Sequence, residues 1–189
     1  MFTPRLRFFL IIIAVTYGGL RVSKGDGAAG IIFVAAAILL IGHFRNGPIR
    51  PALMALNKGR MEEAKTLVNS VRYPHLLSAQ SRAYYHWIRG ILAANDPADL
   101  TFAEKELLLA INGSLRTSND RCLAMASLAE VVVQSNDFTR AYELLDSATQ
   151  SSVTPTTSEY LESLRIRFRE AEQPGDLTAR RRTVALLGR

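Results

Sequence analysis

The sequence predicts an all-α protein in two parts. A transmembrane helical hairpin covers residues 1–46, and a domain of repeated helix pairs covers residues 47–189. Three observations carry this reading. Two apolar stretches of 17 residues, LRFFLIIIAVTYGGLRV (Leu6 to Val22) and AAGIIFVAAAILLIGHF (Ala28 to Phe44), are parted only by SKGDG. From Pro48 onward apolar residues recur with helical periodicity, and no alternating β-branched run is long enough to build a sheet. Ala64, Ala103 and Ala141 follow one another at intervals of 39 and 38 residues, the mark of an internal repeat.

At 1.5 Å per residue each apolar stretch reaches about 25 Å as a helix, slightly short of a ~30 Å hydrocarbon core. Arg5, Arg7, Arg21, Lys24 and Arg45, at or beside the ends of the stretches, can snorkel and make up the difference. A cleaved signal peptide fits less well, because no A-x-A-like site follows and a second apolar stretch comes at once. Lys and Arg in the flanks give the orientation. Arg45, Arg50, Lys58 and Arg60 on the far side outweigh Arg21 and Lys24 in the loop, which predicts both termini in the cytoplasm of a bacterium, inside its inner membrane. Small residues at Ala14, Gly18 and Gly19 on the first helix, and at Ala28, Ala29 and Gly30 on the second, are expected to let the two backbones approach in lipid.

The stretch GDGAAG, residues 25 to 30, also spells the G-x-G-x-x-G of dinucleotide-binding folds. That fingerprint needs a strand before it, an amphipathic helix after it, and an acidic residue about 20 positions on. Here polar Arg21-Val22-Ser23-Lys24 precedes it and an all-round apolar segment follows. No Asp or Glu occurs between Asp26 and Glu62. The glycines read as the hairpin turn, and no nucleotide cofactor is expected.

Composition narrows the rest. The formal net charge of +6 is too mild to argue for a nucleic-acid partner. A lone cysteine, Cys122, excludes an internal disulfide and any multi-cysteine metal site, in keeping with a reducing compartment.

In the repeat domain GRMEEAKTLV, LTFAEKELLLA and NDFTRAYELL each place an alanine early in a helix. In the third unit Met125, Leu128, Ala129 and Val132 precede the Asn136-Asp137-Phe138 turn, then Ala141 and Leu145. In the second, Trp87, Gly90, Ile91 and Ala94 precede Ala103 and Leu107. The first keeps Ala64 and Val68 behind a degenerate opening helix that begins GPIRP, and GDLTARRRTV is a frayed fourth. At these residues the chain resembles the tetratricopeptide repeat family, whose pattern is W-x2-L-G-x2-Y followed by A-x3-F. The resemblance covers about residues 48 to 188, at a spacing of ~38 where the family's is about 34; that also leaves room for a HEAT-like array. It implies an α-solenoid of three to four pairs, in which Gly90, Ala103, Ala129 and Ala141 let helices approach while larger neighbours fill the space between. It further implies a concave protein-binding groove, here lined by Tyr84, Ile88, Ile91, Ala126, Glu130 and Val133. Trp87, with Tyr84 and Tyr85, forms an aromatic cluster that packs the core or docks a partner. Arg82, Arg89 and Arg121 are too scattered for a clamp on peptide carboxylates, which favours a broad protein interface.

Candidate chemistry is sparse. There is no GxSxG, P-loop or HExxH, and His43, His75 and His86 do not pair at metal-ligand spacing. His43 belongs to the headgroup interface, with ligation of a haem or chlorophyll-type pigment as its functional alternative; His75, beside Pro74, is expected in a turn. Glu62 and Glu63 suit the positive end of a helix dipole. The sequence therefore predicts a non-catalytic, membrane-anchored scaffold, assembly factor or stabilising subunit of a larger membrane complex, respiratory or photosynthetic complexes among them. Its partners would be other subunits and the lipid bilayer, with no small-molecule substrate, metal or cofactor. The other reading is a free adaptor that recruits soluble proteins or chaperones to the membrane. Only HFRNG separates the last membrane residues from Pro48, less than about 20 Å at full extension, so Arg45, Arg50, Lys58 and Arg60 would meet anionic headgroups or acidic partner surfaces.

Overall fold

The computed structural model describes residues 48–151 and 154–172, together with Ile13, Thr16, Tyr17, Leu20, Gly30, Ile31, Phe33 and Val34. These last eight are all helical and all exposed. Most of both apolar stretches, including Ala14, Gly18, Gly19, Ala28, Ala29, His43 and Arg45, lies outside the described residues. Among the described residues no helix is long and apolar enough to cross a membrane. A Cβ built on Gly30 would meet no atom within 4 Å.

The described chain is all-helical. Seven α-helices follow in order: α1 (Ile49–Asn57), α2 (Met61–Asn69), α3 (Ala79–Ala93), α4 (Leu100–Ile111), α5 (Ser118–Gln134), α6 (Phe138–Ser151) and α7 (Pro155–Glu172). Short 3-10 turns at Pro74–Leu76 and Pro97–Asp99 precede α3 and α4. Two compact units, Met1–Tyr85 and His86–Arg189, divide within α3.

In the first unit α1 packs on α2. The opening helix expected to be degenerate is intact, with Ile49, Ala52 and Ala55 buried. Pro51 is tolerated because it falls in the first turn, where a backbone N–H has no helical acceptor. Gly59, at φ 71°, then turns the chain, its N–H donating to the Leu56 carbonyl at 2.8 Å. Such left-handed geometry is cheap for glycine and ends a helix cleanly. Glu62 and Glu63 occupy the first turn of α2 as expected, and His75 lies exposed in the first 3-10 turn.

In the second unit α5 is the central element, packing against α4, α6 and α7. Thr117 starts α5 by accepting a hydrogen bond from the Asp120 N–H at 3.0 Å. At the other end Asn136 adopts φ 61°, a left-handed conformation that asparagine supplies at low cost. Asp137 then accepts from the Arg140 N–H at 3.2 Å and opens α6. Helix α7 begins with Pro155, a residue suited to a first helical position. Its buried Thr157 is satisfied, since Thr154 and Thr157 both donate to Oδ1 of Asn119 on α5. The alternating LRIRFR run is helical here, with Leu161, Leu164 and Phe168 buried, whereas Tyr160 is exposed and stands off that stripe.

The alanine register is plain in three dimensions. Ala64, Ala103 and Ala141 are each the fourth residue of their helix, α2, α4 and α6, and each is completely buried. Four residues later Val68, Leu107 and Leu145 are buried as well. A small buried residue precedes each alanine on the first helix of its pair: Ala52, Gly90 and Ala129. Ala141→Leu or Ala129→Leu is therefore expected to overpack its crossing and destabilise the chain by about 1–3 kcal/mol. Thermal unfolding checks this; an unchanged midpoint in both would contradict the packing.

Candidate partner interface

The residues expected to face a groove sit on α3 and α5, the first helices of their pairs. Ile88 and Ala126 are fully buried and present nothing to a partner. Both belong to a buried column that turns toward packed helices and away from any groove. Trp87 is also largely buried, and its indole N–H donates to Oγ of Ser127 on α5 at 3.3 Å. It joins two helices, which answers its packing role. Ile91 and Val133 are half-buried. Glu130 is only partly exposed, and one of its carboxylate oxygens accepts from Arg167 of α7 at 2.7 Å. Tyr84 is half-buried and belongs to the first unit, which ends at the buried Tyr85.

Around this column the second unit is laced by ion pairs between helices. Arg140 of α6 reaches Glu104 of α4 at 2.6 Å, and Arg165 of α7 pairs with Asp146 of α6. Tyr142 of α6 donates to Glu172 of α7 at 3.2 Å. Burial, then the hydrogen bond from its hydroxyl to Glu172 and the charge of that carboxylate, raise the Tyr142 phenol above its usual range. Burial followed by the negative charge of Glu130 does the same at Tyr160. Each such pair on a wet surface contributes little alone, but together they fix helix against helix.

The most buried charge among the described residues has no counterpart in the expected site. Glu106 of α4 is 5% exposed, and its two oxygens face His86 Nδ1 at 2.9 Å and an Arg89 nitrogen at 3.6 Å, both on α3. Arg89 also lies over the Phe102 ring, 4.8 Å from its centroid. A carboxylate taken from water needs such hydrogen-bonding and charged partners to offset its lost hydration. The signal for it is that Glu106 interrupts the buried stripe Ala103, Leu107, Ala110, and therefore faces another helix.

An open depression of about 570 Å³ lies between α5 and α6, lined by Ser118, Arg121, Met125, Ser147 and Gln150. It gathers one cation and no cluster of reactive groups. No set of His, Cys, Asp and Glu among the described residues could hold a metal ion. Cys122 is buried, its thiol donating to the Ala148 carbonyl at 3.2 Å. Burial pushes that thiol above its ordinary range, the opposite of what a nucleophile needs.

No protein-family model matches the chain, and no solved structure matches it. An 83-residue stretch, 42% of the chain, is 32% identical to the ABC multidrug transporter MDR1 of Cryptococcus neoformans var. grubii serotype A. That stretch corresponds to 6% of the transporter, so the chain spans only a small part of its length.

Proposed function

We propose that the chain is a membrane-anchored, non-catalytic scaffold or stabilising subunit of a larger bacterial membrane complex, built as a tetratricopeptide-like solenoid behind an N-terminal transmembrane hairpin. The observation that carries the repeat reading is the alanine register: a buried alanine at the fourth position of α2, α4 and α6, with a large buried residue four positions on. Repeats of this kind bury their faces by stacking and leave extended surfaces for other proteins. The anchor reading rests on the two 17-residue apolar stretches and their basic flanks.

With Ile88, Ala126 and Trp87 committed to packing, the partner surface falls to the half-buried Ile91 and Val133 and to the ion-paired rim around Glu130. An interface of that composition is broad and polar-edged, as contacts between subunits commonly are. Purification from membranes in mild detergent tests the reading. A subunit is expected to hold its partners in fixed stoichiometry through successive columns. Progressive loss of every companion protein would favour an adaptor that recruits soluble proteins transiently.

A further inference from the structure

We propose that the exposed face of α1 rests on an anionic lipid surface, with Met54 set into the headgroup layer between Arg50 and Lys58. This rests on the anchored reading above and names what the first described helix meets.

Arg50, Met54 and Lys58 follow at intervals of four, which puts them on one stripe along α1 and its C-cap. The opposite side of the helix, Ile49, Ala52 and Ala55, is buried. Met54 is 48% exposed, and Met61 just beyond the Gly59 turn is 39% exposed. Arg60 is held by Glu63 at 2.7 Å and drops out of the contact. Arg50 and Lys58, both exposed, make no ion pair among the described residues. A flexible apolar side chain between two long cations suits a membrane interface, where stems lie along the acyl boundary and charges stay with phosphates.

Charge along the chain points the same way. Residues 1–85 hold eleven Lys and Arg against three Asp and Glu, a balance of +8. Residues 86–172 hold eight against thirteen, a balance of −5. No acidic residue occurs from 27 to 61, a stretch that contains all of α1. Anionic leaflets attract such a cationic segment and repel an acidic one. The four residues 45–48 that join α1 to the second apolar stretch keep it within about 20 Å of the bilayer that stretch would enter. An acidic protein surface would use Arg50, Met54 and Lys58 as well; the positive balance of residues 1–85 and the short link to the apolar stretch favour the lipid.

The test places an environment-sensitive fluorophore at position 54 of the full chain (Met54→Cys in a Cys122→Ala background). The protein is reconstituted into vesicles of phosphatidylcholine alone or with about 30% phosphatidylglycerol, each carrying a headgroup-level quencher. Quenching at position 54 is expected to be strong in anionic vesicles, and to fall by about half or more in neutral ones or with Arg50→Gln/Lys58→Gln. Both substitutions are on exposed positions, so folding is not at stake. Weak quenching in both lipids, as an acidic protein partner for this face would give, overturns the proposal, as does quenching indifferent to charge. Failure of the chain to float with either vesicle overturns the anchored reading and this proposal with it; flotation without charge-dependent quenching overturns this proposal alone.

Discussion

On the anchored-subunit reading proposed above, removal of residues 1–44 is expected to release the chain from membranes and to weaken its association with partner subunits by about 10²–10⁴-fold. The reason is effective concentration. If the hairpin supplies one contact and the repeat surface another, the short link between them makes the second contact an intramolecular event. The described helices from Ile49 to Glu172 should stay folded, because their buried residues pack on one another: Ile49, Ala52 and Val68 in one unit, Leu128, Leu145 and Leu164 in the other. Circular dichroism of the truncated chain and its co-purification with partners read the two halves of this result separately. A truncated chain that still co-purifies at full stoichiometry would show that the hairpin only delivers the protein to its membrane.

The second large effect concerns the crossing of α3 and α4. A Cβ built on Gly90 would lie 2.6 Å from Cγ and 2.8 Å from Cδ2 of Leu107, and 3.2 Å from the Ala103 carbonyl oxygen. Gly90→Ala should therefore destabilise by about 1–3 kcal/mol from overpacking, offset in part by the ~1 kcal/mol helix preference of alanine over glycine. Leu107→Ala removes a completely buried side chain and should cost about 2–5 kcal/mol. Combined, the two changes should be less damaging than their sum. With Leu107 shortened, the methyl at position 90 fills space that the leucine had held, and the helix preference is left to act. Denaturant unfolding of the four members of the cycle measures this coupling. Strict additivity would show that α3 and α4 do not cross where Gly90 and Leu107 place them.

Much of the packing was readable because the close crossings require small residues at a fixed interval. Ala64, Ala103 and Ala141 report the interval directly, and the third unit, with Ala129 and Ala141 facing the same crossing, reports it best. The groove was harder to read. Residues one position apart on a helix differ in direction by about 100°, so a small error in register sends Ile88 and Ala126 outward on paper and inward in the fold. The second unit shows where such an error arises. Gly90 lies 13 residues before its alanine, whereas Ala52 and Ala129 lie 12 before theirs, and the turn between α3 and α4 runs from Ala94 to Asp99 where the other two pairs use three residues. Pairings such as His86 with Glu106, 20 residues apart, or Trp87 with Ser127, 40 apart, leave no periodic trace. They depend on which helices become neighbours, and helical periodicity gives only the direction each residue faces.

Cys122 gives the molecule an internal indicator of its own opening. The sole thiol lies fully buried on α5, donating to a carbonyl of α6, and its position closes it to reagents in solution. Chemical labelling must then wait for α5 and α6 to part, so the labelling rate under native conditions reports the free energy of that local separation. A bound partner that grips both helices would slow the reaction without touching the sulfur. One that binds elsewhere would leave it unchanged. The same buried side chain thus distinguishes, with no engineered residue, which helices a partner holds together.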